Sequence, residues 1–415
     1  MNPRNYILII TLVFVFSCIT TNEITYTNLA SRYDPDTELK IEAYRVFHEN
    51  DSITRVYLSY RTDALMYVQP PGKDYFRSDY SFSYQLFSSY ESNKVLDENT
   101  YEMSDSLFFK NPVLLNLDFP VKAEFPGDYV LEIRFNDLNT DNSILYPVLV
   151  QKKDRSSRQF FLPLDEPGEV LLNDWISWKD KFTVKCSNPD ISELYVSFYS
   201  RDFPIAAPPF SQARPPVYEY IPERVFTLKV EDGMSDPMQT ADEGFFHFQP
   251  DSTSLNGLTL YRFHDHYPDV RKAEQLAPPL RYLTSNKEFE ELMNAPDIKQ
   301  AVDSFWIQVA GSEGRAKELI EKYYGRVVHA NTYFTSHKEG WKTDRGMIYI
   351  VFGEPRTVYR RSNIETWIYG EQGNRVYLTF DFIRAINPFS VNDYELQRDP
   401  DYKAQWYNAI LFWRQ

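Results

Sequence analysis

Through the first half of this chain apolar residues recur at every second position, and after residue 284 they recur at every third or fourth. That change of period constrains the fold more than any other feature. Period 2 belongs to strands and period 3.6 to helices. Tyr80, Phe82, Tyr84 and Leu86 alternate with Ser81, Ser83 and Gln85, the pattern of an antiparallel strand with one buried face. Leu39, Ile41 and Ala43 repeat it, as do Val56, Leu58 and Tyr60, then Val113, Leu115 and Leu117. Tyr129, Leu131, Ile133 and Phe135 follow the turn residues Pro126, Gly127 and Asp128.

Short strands at this spacing predict an antiparallel β-sandwich, immunoglobulin-like in outline, over residues 36–155. A second β-rich domain and connector is expected over 156–283. There Leu194, Val196 and Phe198 alternate, as do Phe226, Leu228 and Val230, and short strands fall at Phe245 to Phe248 and Leu258 to Phe263. Phe182, Val184 and Cys186 share one strand face, so Cys186 is expected as a buried core thiol. The stretch from Phe203 to Pro216 holds five prolines. It predicts a stiff extended loop crossing the sandwich; the other reading is a partner-docking loop that exposes Phe203 and Phe210. Aromatic residues make up 16% of the chain, which agrees with the β-rich reading.

From 284 to 415 the pattern predicts an α+β domain, helices followed by an antiparallel sheet. Ser285 and Glu288 form a capping box ahead of Phe289, Leu292 and Met293. Asp297 is placed to cap a second helix with Ile298, Val302, Phe305, Trp306 and Val309 inward, and Ser312 a third with Ala316, Leu319, Ile320, Tyr323 and Val327 inward. Strands are expected at Ile348 to Phe352, Thr357 to Arg361, Glu365 to Tyr369 and Arg375 to Phe382, the last two joined around Gln372, Gly373 and Asn374. Five of the seven tryptophans fall in this domain.

The start of the chain addresses compartment rather than fold. Arg4 precedes the apolar run Tyr6 to Phe16, too short for the roughly 20 residues that span a bilayer, and the run ends at Ser17 and Cys18. A small residue before cysteine at this place resembles a bacterial lipobox. The resemblance implies a lipoprotein signal peptide over 1–17, thioether lipidation of Cys18, and a polar tether over 18–35. The lack of Asp at position 19 favours the outer membrane, with the leaflet face left open. With Cys18 lipidated, Cys186 has no disulfide partner, since the chain has two cysteines.

Between the third helix and the expected strand runs Gly340, Trp341, Lys342, Thr343, Asp344, Arg345, Gly346, continuing through Ile348, Tyr349, Ile350, Phe352, Gly353 and Pro355. Together with Phe305, Trp306, Tyr323 and Tyr324 upstream, and Glu365, Trp367 and Tyr369 downstream, it resembles the GWxTD-domain family of bacterial envelope proteins over roughly 280–385. The resemblance implies a fold domain and an envelope setting, and no catalytic residue. In a structural reading, Gly340 and Gly346 take positive φ at a tight entry to a strand and Trp341 buries its ring. Thr343 and Asp344 bond backbone N–H groups, and Arg345 pairs with Glu365, which shares a face with Trp367. In a functional reading, Asp344, Glu354, Glu365 and His337 line a binding pocket.

Other chemistry finds little support. Lys and Arg total 44 against 59 Asp and Glu, a net charge of −15, which argues against a nucleic-acid partner. His264 and His266 flank Asp265 but offer two nitrogens where zinc wants three or four ligands, so the segment reads as a solvated loop with no metal. Arg356, Arg360 and Arg361 read as a solvated strand edge. No nucleophile elbow, zinc-helix motif, phosphate loop or dinucleotide fingerprint is present, so no cofactor is expected. The sequence supports a non-enzymatic, outer-membrane-anchored lipoprotein docking onto a protein partner in an envelope assembly for secretion, transport or biogenesis. The alternatives are an envelope enzyme or a glycan- or peptide-binding protein, with a site around Asp344, Glu365 and Arg345 or on exposed aromatics of the sandwich.

Overall fold

The computed structural model describes residues 26–37, 39–107, 114–140, 142–200, 202–213, 219–371, 373 and 377–414. The signal segment, Cys18, Val113, Pro215, Pro216 and the hairpin residues Gln372, Asn374 and Arg375 lie outside the described residues. No helix among the described residues is long and apolar enough to cross a membrane.

The first region is built from β1 (Ile41–His48), β2 (Ile53–Arg61), β3 (Phe76–Phe87), β4 (Asp97–Leu107), β5 (Leu114–Lys122), β6 (Asp128–Asp137) and β7 (Ser143–Gln151). They form two antiparallel sheets, ordered β1-β2-β5 and β4-β3-β6-β7. Alternation sends Val56, Leu58 and Tyr60 of one sheet against Phe82, Leu86, Ile133 and Phe135 of the other, all fully buried. Phe82 and Phe135 stack with centroids 4.2 Å apart, and the hydroxyls of Tyr60 and Tyr80 meet at 2.8 Å, so the two buried phenols satisfy each other.

The second region is a seven-stranded sheet of β8 (Phe161–Asp165), β9 (Phe182–Cys186), β10 (Glu193–Tyr199), β11 (Arg224–Glu231), β12 (Met234–Ser235), β13 (Gly244–Gln249) and β14 (Leu258–Arg262), in the order β14-β13-β10-β11-β12-β9-β8. Cys186 lies in its core beside Phe182 and Val184, where burial pushes the thiol up to about 12.

The third region has α1 (Asn286–Met293), α2 (Ile298–Ala310), α3 (Glu313–Phe334), α4 (Asp344–Phe352), β15 (Thr357–Arg360), β16 (Ile364–Tyr369), β17 (Leu378–Arg384), β18 (Tyr394–Leu396) and α5 (Tyr402–Trp413). The side chains of Ser285, Asp297 and Ser312 each accept a hydrogen bond from the N3 amide of the helix they start, as their positions predict. The four strands form one antiparallel sheet in sequence order.

Two expectations need correction, and one alternative reading falls. Ile348 to Phe352 is not a strand but the core of α4, whose residues 347–351 are all buried. A continuous apolar run buried on every side fits either element, and here the helix signals decide: Thr343 caps, Asp344 opens the first turn, and Gly353 at φ 88° followed by Pro355 ends it. The start of the chain is not a tether throughout. Leu29 and Tyr33 are buried in the C-terminal core, and Leu29 N–H donates to the Val358 carbonyl at 2.8 Å. The proline-rich loop does not display its phenylalanines. Phe203 is buried with Phe245, Tyr261 and Phe389, and Phe210 packs on Tyr407. The loop straps the second sheet to the third region, with Ala206 N–H donating to Lys342 and Asp399 N–H to Pro209.

Candidate functional site

The Gly340 to Gly346 motif starts with a turn of 3₁₀ helix, Gly340 to Lys342, pressed on α3 and running into α4. Neither Gly340 nor Gly346 has the positive φ expected at a strand entry; both permit backbones to touch. A Cβ on Gly340 would overlap the Ala330 carbonyl, and one on Gly346 would overlap the Gly340 carbonyl. Three backbone segments therefore meet with no side chain between them.

Each remaining motif side chain then has a structural partner. Thr343 Oγ1 accepts from Gly346 N–H at 3.0 Å and donates to the Gly340 carbonyl at 2.7 Å, closing the turn on the helix it caps. Trp341 is buried. Its N–H donates to Asn331 Oδ1 at 3.1 Å, and its carbonyl accepts from the Tyr282 hydroxyl at 2.8 Å. Asp344 does not bond nearby amides. Its Oδ2 accepts from the N–H of Leu396 in β18 at 2.7 Å, and Arg398 grips both carboxylate oxygens. The motif thus staples α4 to the far edge of the sheet.

Arg345 pairs with Glu365 as the sequence predicts, at 3.3 Å, with both side chains buried. Glu365 accepts in addition from the Tyr33 hydroxyl at 2.8 Å, from Trp367 Nε1 at 2.9 Å and from Arg360 Nε at 2.8 Å. Arg345 reaches on to the Asn392 carbonyl at 2.9 Å and lies 4.1 Å over the Tyr394 ring. Burial alone would raise the Glu365 carboxyl. The Arg360 and Arg345 guanidiniums, with hydrogen bonds from Arg360 and Trp367, outweigh it and hold the group well below the usual carboxylate range. Burial, and then the Glu365 charge, push Tyr33 up to about 12.

Sequence reasoning placed Arg345, Glu365 and Trp367 together but missed three members of their cluster. Tyr33 and Asn392 are remote in sequence, and no local signal marks them. Arg360 is not the solvated edge that the sequence suggests: its side chain, 12% exposed, turns inward onto Glu365, while Arg356 pairs at the surface with Glu371. Its position opposite Glu365 in the β15–β16 register was the available signal.

The pocket reading gathers residues that the structure distributes. Glu354 is exposed, with the Tyr349 hydroxyl 3.3 Å away. His337 packs among Phe203, Tyr220 and Phe389, its Nε2 3.2 Å from the Tyr220 hydroxyl; burial lowers it to about 4. Arg262 of β14 holds Asp265 at 2.7 Å, beside His264 and His266. No group of three or more potential metal ligands occurs among the described residues.

No curated protein matches the chain significantly. Residues 244–415, from β13 through the end of α5, match the family model of the GWxTD domain. That region holds the stapled motif and its Arg345–Glu365 cluster, so residues 244–415 carry a GWxTD domain.

Proposed function

We propose that this chain is a non-enzymatic docking component of a bacterial envelope assembly, anchored in the outer membrane through lipid on Cys18. The observation that carries the docking part is the outer face of α5. Tyr407, Leu411 and Phe412 stand 49%, 53% and 73% exposed there, an apolar surface on an otherwise acidic protein. The motif supports that surface indirectly. It positions α4, and α4 holds α5 through Trp413 Nε1 donating to the Val351 carbonyl at 3.0 Å and Trp406 packing on Phe352. The motif then acts as framework and α5 as the face a protein partner meets. The anchor rests on the Ser17–Cys18 lipobox pattern.

The competing reading, an envelope enzyme or a glycan or peptide binder at the motif, would need Asp344, Glu365 and Arg345 free to meet substrate. Their polar atoms are engaged by Arg398, Leu396, Tyr33, Arg360, Trp367 and Asn392. The test is a photo-cross-linker at Tyr407 in intact cells, alongside alkyne fatty-acid labelling of the wild type and of Cys18→Ser. Label lost in Cys18→Ser and one dominant envelope protein cross-linked at Tyr407 are expected. Bait alone, with the protein folded and anchored, would sink the docking reading.

A further inference from the structure

Where the sandwich, the second sheet and the C-terminal domain meet, they leave a cleft of about 460 Å³, within the range of small-molecule sites. Five cationic side chains line it, Arg32, Lys40, Arg45, Arg158 and Arg360, against two acidic ones, Glu42 and Asp174. In a protein of net charge −15 this concentration runs against the whole.

The cations are under-compensated. Arg45 and Arg158 share the single carboxylate of Asp174. Arg360 shares Glu365 with Arg345, which lies behind the wall. Lys40 has Glu42 at 3.6 Å. Counting that second layer, six cations face three carboxylates among the described residues. Among the described residues Arg32 has no carboxylate partner. Its Nε and Nη1 are buried without a hydrogen-bond partner, and its guanidinium lies 3.8 Å over the Tyr146 ring. The ionisable groups acting most strongly on it are the phenols of Tyr146, Tyr33 and Tyr44 and the like-charged Arg360. Among the other lining residues, His329 Nδ1 is likewise buried with no partner among the described residues. A buried charge and a buried polar nitrogen left unpaired are each costly, and both residues line this one cleft.

We propose that this cleft binds a small organic anion, its phosphate or carboxylate group held by the Arg32 guanidinium and its body against the Tyr44, Tyr146 and Tyr333 rings. Guanidinium is suited to this because its planar fork donates two parallel hydrogen bonds to an oxyanion. Occupancy would bridge all three regions of the protein, so the ligand would set how firmly they hold together. This goes beyond the docking reading and does not depend on it.

The test uses the full chain in detergent, titrated calorimetrically at constant ionic strength with phenyl phosphate, inorganic phosphate and benzoate, with sodium chloride as the screening control. Saturable binding of at least one probe is expected, together with a Tm that climbs with its concentration. Arg32→Gln should weaken that binding by roughly ten- to a hundredfold, as expected for a lost hydrogen bond to a charged group. Its unliganded Tm should not fall, because a cation beside Arg360 has been removed. Inorganic phosphate against benzoate tells which oxyanion is preferred, and phenyl phosphate binding more tightly than inorganic phosphate supports the ring contact. Absence of saturable binding by all three probes to the wild type overturns the proposal, as does binding that Arg32→Gln leaves unchanged. If Arg32→Gln does not fold, His329→Gln carries the same comparison.

Discussion

Glu365→Gln removes one charge and almost no volume, which makes it a direct test of the buried cluster behind the motif. Wild-type Glu365 is fully buried, accepts from Tyr33 and Trp367, and neutralises one of two guanidiniums. Glutamine keeps one acceptor oxygen; with it on the side of Tyr33, Trp367 and Arg345, its N–H donors are turned toward Arg360. Removing one partner of a buried ion pair costs about 3–5 kcal/mol, because the charge left behind stays desolvated. That is a large part of the roughly 5–15 kcal/mol that holds a typical domain. Tryptophan fluorescence in urea is the assay. Trp306, Trp341, Trp367, Trp406 and Trp413 are all buried in the C-terminal domain, so the emission shift reports mainly its unfolding. The expected result is a lower midpoint at an unchanged slope. Adding Arg360→Met to Glu365→Gln should recover part of the loss, since it removes the stranded charge. A single variant within about 1 kcal/mol of wild type would refute the reasoning.

Further outcomes follow from the same geometry. Gly346→Ala should destabilise the C-terminal domain more than an exposed helical Gly→Ala change could, since its Cβ meets the Gly340 carbonyl; an unchanged melting curve would mean that the backbones separate freely. Trp341→Ala should cost about 3–5 kcal/mol by urea unfolding, and an unaltered midpoint would move the motif from structure toward binding. His48, His247 and His337 are buried, and burial lowers each to about 4. The unfolded chain takes up their protons first, so the stability they contribute is intact above about pH 6.5 and is lost as pH falls toward 4. Each should cost about 2 kcal/mol at pH 5, and His48→Gln should shrink the difference between urea midpoints at pH 7 and pH 5.

What the sequence revealed and what it hid divide along physical lines. β3, β6 and β10 were readable because one face of each is buried, and β11 because Phe226 and Leu228 are half-buried on the face that buries Val230; alternation records that directly. α4 was misread because burial on all sides erases periodicity, leaving β-branched and aromatic residues to argue for a strand that Thr343 and Gly353 overrule. The Arg345–Glu365 pair was legible from a motif and a nearby strand. Tyr33, which shares Glu365 from 332 residues away, was not, and neither was the cleft, which exists only where three regions meet. The glycines were recognised as special for the wrong reason: contact between backbones leaves the same residue as a positive φ does.

The packing of residues 28–33 on the C-terminal sheet bears on the order in which the chain becomes complete. Asn28 and Leu29 hydrogen-bond Val358, Tyr33 reaches Glu365, and the Tyr33 carbonyl accepts from the Tyr349 hydroxyl. This early segment therefore has no docking surface until some 330 residues later, roughly 15–65 s at ordinary rates of synthesis. Until then Leu29 and Tyr33 stay exposed. Conversely, a fragment cut to residues 244–415 would release with an open seam where that segment belongs, its two guanidiniums short of one phenol. The stretch matched by the domain and the stretch buried in its core are different lengths of the same polypeptide.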